Sequence, residues 1–186
     1  MDGGVMAVDK NEVVAGADLA RGAFIGSWTL VPSASSVQLK TKSMWGLVPV
    51  KGTFSEVTGS AAVTADGGVT GRLVVKSASI NTKMKIRDAH LRGDDFFASD
   101  RFPDIVFEID QVSSTTSGLE VAGHLTVRER TLQLQFLAVV ADLGAGRFGI
   151  DTEVQVDRSE LGLNYRGKGA TKMINVLIIH AVFART

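Results

Sequence analysis

Hydrophobic and polar residues alternate one by one along much of this chain, most plainly in its second half. Leu132, Leu134 and Phe136 alternate with Thr131, Gln133 and Gln135, the period of two that marks a half-buried strand. Phe148, Ile150, Thr152, Val154 and Val156 repeat the pattern against Asp151, Glu153, Gln155 and Asp157, as do Ile105, Phe107 and Ile109 against Val106, Glu108 and Asp110. Leu119, Val121, Leu125 and Val127 are interrupted by Gly123, where a bend or bulge is cheap because no Cβ has to be accommodated. Further strands are expected at about 27–31, 35–43, 49–64 and 69–80, with Asp66-Gly67-Gly68 as the turn between the last two. Ile174 to Val182 is apolar at nearly every position, which predicts a strand covered on both faces or lying against the N-terminal extension or a second subunit.

One segment departs from this period. Thr82 is placed to cap a helix through Met84, Ile86, Ala89 and Leu91, with Lys85, Arg87 and Asp88 on its polar face. A following turn, Asp94 to Ser99, brings Phe96 and Phe97 inward before Pro103 opens the next strand. Residues 1–25 lack a sustained period and read as an extension, disordered or with a short helix near Asp18 to Phe24. Residues 26–186 form one domain. The twenty glycines are spread without a repeat, as expected where strands bend around a closed sheet.

Composition narrows the functional classes. Twenty Lys plus Arg balance twenty Asp plus Glu, so there is no overall basic excess of the kind that holds nucleic acid. Without cysteine, thiol nucleophiles, thiolate metal sites and disulfides are all excluded. No run reaches the roughly 18 apolar residues of a membrane span. The opening residues carry acids and glycines instead of a basic and then apolar leader; the expectation is a cytoplasmic protein, or a periplasmic or secreted one if a leader was removed.

Residues 81–97 read Asn81-Thr82-Lys83-Met84-Lys85-Ile86-Arg87-Asp88-Ala89-His90-Leu91-Arg92-Gly93-Asp94-Asp95-Phe96-Phe97. This resembles the signature of the YceI-like family of lipocalin-like proteins, with its Asn-Thr, Arg-Asp-x-His-Leu and Asp-Phe-Phe at this spacing. Phe102-Pro103-Asp104-Ile105-Val106-Phe107, Gly123-His124-Leu125-Thr126 and Asp157-Arg158-Ser159-Glu160-Leu161-Gly162 are similar to later family elements. The resemblance covers about residues 26–182. It departs at Thr41-Lys42-Ser43-Met44, where the family commonly has a Lys-His pair, and at Arg128-Glu129-Arg130-Thr131, where it has a glycine turn. The resemblance implies an all-β fold, an extended eight-stranded antiparallel lipocalin-like barrel with a short helix near residues 83–92. It also implies an interior that holds a polyisoprenoid or isoprenoid quinone, with no other cofactor required.

The residues themselves supply no catalytic pattern. His90, His124 and His180 have no metal-ligand spacing. Their expected roles are a helix contact or ligand head-group anchor, a surface residue and a half-buried core partner. Arg87, Asp88, His90 and Arg92 read as an ion-pair and capping network. No Gly-x-Ser-x-Gly elbow occurs, and Gly167 to Lys172 lacks the spacing of a phosphate loop.

Candidate lining residues for a long apolar ligand are Trp28, Leu39, Trp45, Phe54, Leu73, Ile86, His90, Phe96, Phe97, Phe107, Leu134, Phe136, Phe148 and Ile150. Met44 and Trp45, followed by Gly46 to Pro49, are the candidate mouth. An eight-stranded barrel either fills its centre or holds one small ligand. Two readings therefore stand side by side. One is non-catalytic carriage, storage or sequestration of a hydrophobic small molecule. The other is a stress-linked or structural module with a filled barrel and a homodimer interface. A lipid-acting enzyme is a third and would need a reactive group facing the cavity.

Overall fold

A computed structural model describes residues 22–43, 48–163 and 174–186. Its strands are β1 (Gly26–Leu30), β2 (Ser36–Ser43), β3 (Val48–Phe54), β4 (Val57–Val63), β5 (Val69–Lys76), β6 (Ile80–Asn81), β7 (Asp104–Thr115), β8 (Gly118–Val127), β9 (Arg130–Gly144), β10 (Arg147–Asp157) and β11 (Ile174–Arg185), with one α-helix, α1 (Lys85–Arg92). Every pairing is antiparallel, in the order β1-β4-β5-β7-β8-β9-β10-β11-β2-β3-β6, and β1 also pairs with β11.

That last pairing closes the sheet into a barrel of eight strands with a short helix, the architecture the sequence implies. β11 is long enough to pair with two pieces of one bent strand: Val176 to His180 lie beside Ser36 to Lys40 of β2, and Phe183 to Arg185 beside Trp28 to Leu30 of β1. The break between β1 and β2 is a 3-10 turn, Pro32–Ala34, where proline has no N–H to give to the ladder. β3 and β4 are likewise two pieces of one path, parted at Ser55-Glu56, and β5 and β6 are parted by the 3-10 turn Ser77–Ser79. The expected single strands at 49–64 and 69–80 are thus each broken once. Period-two patterning cannot show such breaks, because a bend leaves the inward face unchanged.

The inward faces follow the alternation. Leu119, Val121, Leu125 and Val127 of β8 are buried, as are Ala138 and Val140 of β9 and Val154 and Val156 of β10. At Gly123 the reason for glycine is specific. A Cβ there would lie 2.3 Å from the carbonyl oxygen of Glu108 and 2.6 Å from the Phe107 ring. The expected irregularity occurs opposite it, as a register shift in β7 between Ile109 and Gln111.

The N-terminal side of the domain contributes to the core as well. Phe24 is buried and accepts, through its carbonyl, a 2.8 Å hydrogen bond from the Trp28 indole. Residues 22–24 form bends and not the expected helix; residues 18–21 of that helix, the Met44 to Leu47 mouth segment with Trp45, and Gly167 to Lys172 lie outside the described residues. No helix among the described residues is long and apolar enough to cross a membrane.

Candidate functional site

The barrel has two unlike regions. At the end where β1 begins and β11 finishes, aromatic rings fill the lumen. Phe148 stacks on Phe183 at 5.2 Å and meets Trp28 edge-on at 4.8 Å, while Phe24 closes on Phe148 at 5.7 Å. Arg185 lies 4.6 Å over the Trp28 ring, and its guanidinium donates to the carbonyls of Ile25 and Ala23. Edge-on and offset ring pairs of this kind contribute about 0.5–1.5 kcal/mol each beyond area burial. This end is a plug.

Further along the same lumen the packing loosens. Leu39, Leu73, Phe107, Leu134, Phe136, Ile150, Leu177 and Ile179 are apolar and lie against the core, yet each is only partly buried. Their strand positions place them on the inner face: Phe136 opposite Val121, Leu134 opposite Gly123, Ile150 opposite Val140, Leu177 opposite Val154. These side chains are the part of the inner face that the core leaves partly accessible. The Phe107 and Phe136 rings lie side by side on this part of the inner face, 5.5 Å apart and tilted by 49°, and Gly123 makes room for the Phe107 ring.

The α1 end is held by polar groups. Asp88 is buried and accepts hydrogen bonds from both the backbone N–H and the hydroxyl of Thr82. Arg87 donates to the Thr82 hydroxyl and carbonyl at 2.8 and 2.9 Å, and Arg92 donates to the Ile80 carbonyl at 2.8 Å. Thr82 therefore does not cap the helix as expected; the N-cap is Met84, with no side-chain bond. The Arg-Asp pair is a tether that fixes α1 to β6, whose Ile80 is completely buried.

This arrangement corrects one lining residue. Ile86 is 86% exposed on the outside of α1 and does not face the lumen. Asp88, Arg87 and Arg92 hold this helix, Leu91 packs against the core, and Ile86 lies on the face away from them. His90 is also exposed, with its ring edge-on to Phe96 at 5.3 Å. Phe96 and Phe97 are buried as expected, and Phe97 meets Phe54 edge-on at 6.0 Å. Trp28 and Phe148 belong to the plug. His124 lies on the outer surface between Asp110 and Glu108, at 3.0 and 3.2 Å. His180 bonds Asp151 at 2.7 Å across the outer face of β10 and β11, so its half-burial is not core packing.

Two residues that the sequence did not single out as ligand contacts stand out here. The Arg158 guanidinium lies 5.6 Å over the Phe96 ring, and its Nε is buried with no hydrogen-bond partner among the described residues. Burial lowers the Arg158 pKa from its ordinary value, and the neighbouring Asp157 charge opposes that shift. Asn175 pairs with Val156 on the inner face of β11, and its Oδ1 is likewise buried and unpartnered. Buried polar atoms without partners are uncommon in native proteins. The sequence signals were present: Arg158 sits in the Asp-Arg motif, and Asn175 is a polar interruption in an apolar strand. Among the described residues no group of three or more His, Asp or Glu is placed to hold a metal.

Comparison with known proteins places this geometry. The YceI-like domain profile matches residues 28–181. The chain belongs to the YceI-like family. A UPF0312 protein of Staphylococcus aureus strain USA300 is 28% identical over 151 residues, covering 75% of this chain and 83% of that protein. Among solved structures, BcnA of Burkholderia cenocepacia superposes with a TM-score of 0.73 at 19% identity, over 83% of this chain and 99% of BcnA. A polyisoprenoid binding domain from Saccharophagus degradans, implicated in plant cell wall breakdown, gives 0.69 at 14% identity, over 86% and 98%. The Campylobacter jejuni YceI protein gives 0.63 at 21% identity, over 74% and 86%. At these identities the structural likeness establishes a shared barrel, and the YceI-like signature residues 81–97 lie at its α1 end.

Proposed function

We propose that this YceI-like barrel is a non-catalytic carrier of one long apolar chain, a polyisoprenoid or isoprenoid quinone. The chain lies in the loosely filled lumen, and its polar head is at the α1 end. The observation that carries the proposal is the set of inward, apolar and still accessible side chains, above all Leu134, Phe136, Ile150 and Leu177. A lumen lined this way favours an alkyl or isoprenoid chain by about 0.8 kcal/mol for each buried CH₂-sized group. Immobilisation costs on the order of 4–15 kcal/mol, so a chain of roughly twenty carbons supplies a surplus without a strong polar anchor.

The direction of the chain follows from the two ends. The plug end offers rings in close contact and no room for a head group. The α1 end offers Arg158, whose Nε–H lacks an acceptor among the described residues, and Asn175, whose Oδ1 lacks a donor among them. A phosphate, quinone carbonyl or hydroxyl supplies the missing acceptor, and a hydroxyl supplies the missing donor. The fold neighbour described as a polyisoprenoid binding domain supports the same ligand class.

Native mass spectrometry of freshly purified protein, followed by solvent extraction and lipid identification, tests the proposal. One co-purified isoprenoid or quinone per barrel is the expected result. A protein that is empty, and that also fails to take up added long-chain isoprenoids, contradicts it and favours the filled interaction module.

A further inference from the structure

The chain is electrically neutral overall, yet its lysines are not evenly placed. Of the six described lysines, Lys76 is ion-paired to Asp104 at 2.6 Å; the other five, Lys40, Lys42, Lys51, Lys83 and Lys85, are exposed and form no ion pair with a described residue. Those five share one side of the molecule. Lys40 of β2 lies directly opposite Lys51 of β3, and Thr53 lies opposite Asn81. That pairing ends at Asn81, and Lys83 follows two residues on. Lys42 is beside Pro49 in the same ladder, and Lys85 opens α1. Like charges directly opposite each other on a sheet destabilise it, and no acid intervenes in this row.

The same side carries the two most exposed large apolar residues among the described ones. Ile86 is 86% and Met84 53% exposed, interleaved with Lys83 and Lys85. Their presentation is built in. Lys83 adopts a left-handed φ of 61°, its N–H is held by the Asn81 side chain at 2.8 Å, and the Asp88–Thr82 tether fixes the helix behind it. Arg87 and Arg92 are occupied by backbone and hydroxyl bonds, which leaves the lysines as the outward charge. The acids nearest in sequence are committed or displaced: Asp88 is buried against Thr82, and Asp94, beyond the far end of α1, pairs with Arg101 at 3.1 Å. Glu56 lines the hollow beside α1 and is the one exposed carboxylate there.

We infer that the β2–β3–β6–α1 side is a docking surface for an anionic lipid bilayer, with the lysine row against the head groups and Met84 and Ile86 inserted between them. Clustered lysines beside exposed apolar side chains are the pattern of proteins that lie on a membrane without crossing it. An acidic protein would be met by the lysines alone and leaves Ile86 unexplained. The surface stands on the outside of the barrel, so the inference does not depend on what the lumen holds.

Co-sedimentation with vesicles tests it. The wild type is expected to bind vesicles of phosphatidylcholine with 30 mol% phosphatidylglycerol at least about tenfold more tightly than phosphatidylcholine alone, and to lose most of that advantage when salt is raised, as screening requires. The combined change K40Q/K51Q/K83Q is expected to weaken binding at least about tenfold. I86S is expected to weaken it about threefold at fixed salt. Every substituted side chain is exposed, so the melting temperature of both variants should stay within a degree or two of wild type. Equal binding to neutral and anionic vesicles, no binding to either, or anionic binding unmoved by the lysine changes overturns the inference. Retained isoprenoid uptake in a protein that ignores vesicles would overturn docking and leave the carrier reading intact.

Discussion

The two regions of the lumen use the same kinds of residue to opposite ends. At the plug, Phe24, Trp28, Phe148 and Phe183 are all nearly inaccessible and touch one another at ring distances below 6.5 Å. In the middle of the barrel, Phe107 and Phe136 also touch, but both stay partly accessible, with Leu134, Ile150 and Leu177 around them. Apolar inward side chains are therefore not evidence of a filled core by themselves. What separates the regions is how far the rings are covered: at the plug Phe24 and Arg185 close over Phe148 and Trp28, and all four rings are buried.

The contrast predicts unequal responses to truncation. Phe148→Ala removes a ring buried on all sides and should cost about 3–5 kcal/mol in chemical denaturation. Phe136→Ala should cost about 1–2 kcal/mol, since part of the Phe136 surface is already accessible. Equal losses would show that the middle is packed like the plug.

Gly123→Val sharpens the comparison from the wall. Its added Cβ meets the Glu108 backbone and the Phe107 ring, so strand or ring must move, at about 1–3 kcal/mol. A variant as stable as wild type, with Phe107 unmoved, would contradict the tight wall.

Asp88→Ala tests the polar end. It leaves the buried Thr82 N–H without its acceptor and should cost about 1–3 kcal/mol, with faster amide exchange confined to residues 82–92. A loss of stability spread evenly over the barrel would mean that Asp88 is not a local tether.

The smallest effect lies in an exposed turn outside both regions. The Thr64 hydroxyl, then the backbone N–H groups of Asp66 and Gly68, hold the Asp66 carboxyl below its ordinary value of 3.8. A lowered folded-state pKa stabilises the fold above the unfolded-state value and is lost as pH falls through the folded-state value. Thr64→Val should move the Asp66 titration in an NMR series upward toward 3.8; an unmoved titration would remove Thr64 as the cause.

The strands were legible in the sequence because alternation runs through most of β7 to β10, and inward positions such as Leu132, Leu134 and Phe136 follow from it; closure into a barrel of eight was implied by the family resemblance of residues 81–97 and the later motifs. Bends at 55–56 and 77–79 were not legible, because the inward face continues through them. Ile86 was misplaced because an apolar residue in a short helix was read as an inward one, when Asp88, Arg87 and Arg92 do the anchoring. The difference between Phe148 and Phe136 was invisible for a further reason. Both sit at inward positions, and only the packing shows that Phe24 and Trp28 cover Phe148 while Phe136 stays partly accessible.

The central claim, that the middle of the barrel is the binding space and the plug is not, is tested most directly by filling it. Leu134→Trp and Phe148→Leu would be titrated in parallel with geranylgeraniol, a twenty-carbon isoprenoid alcohol, by calorimetry. The account predicts one site in the wild type, at least about tenfold weaker binding in Leu134→Trp with little loss of stability, and near-normal affinity in Phe148→Leu despite a lower melting temperature. Unchanged affinity in Leu134→Trp, together with lost affinity in Phe148→Leu, would contradict it.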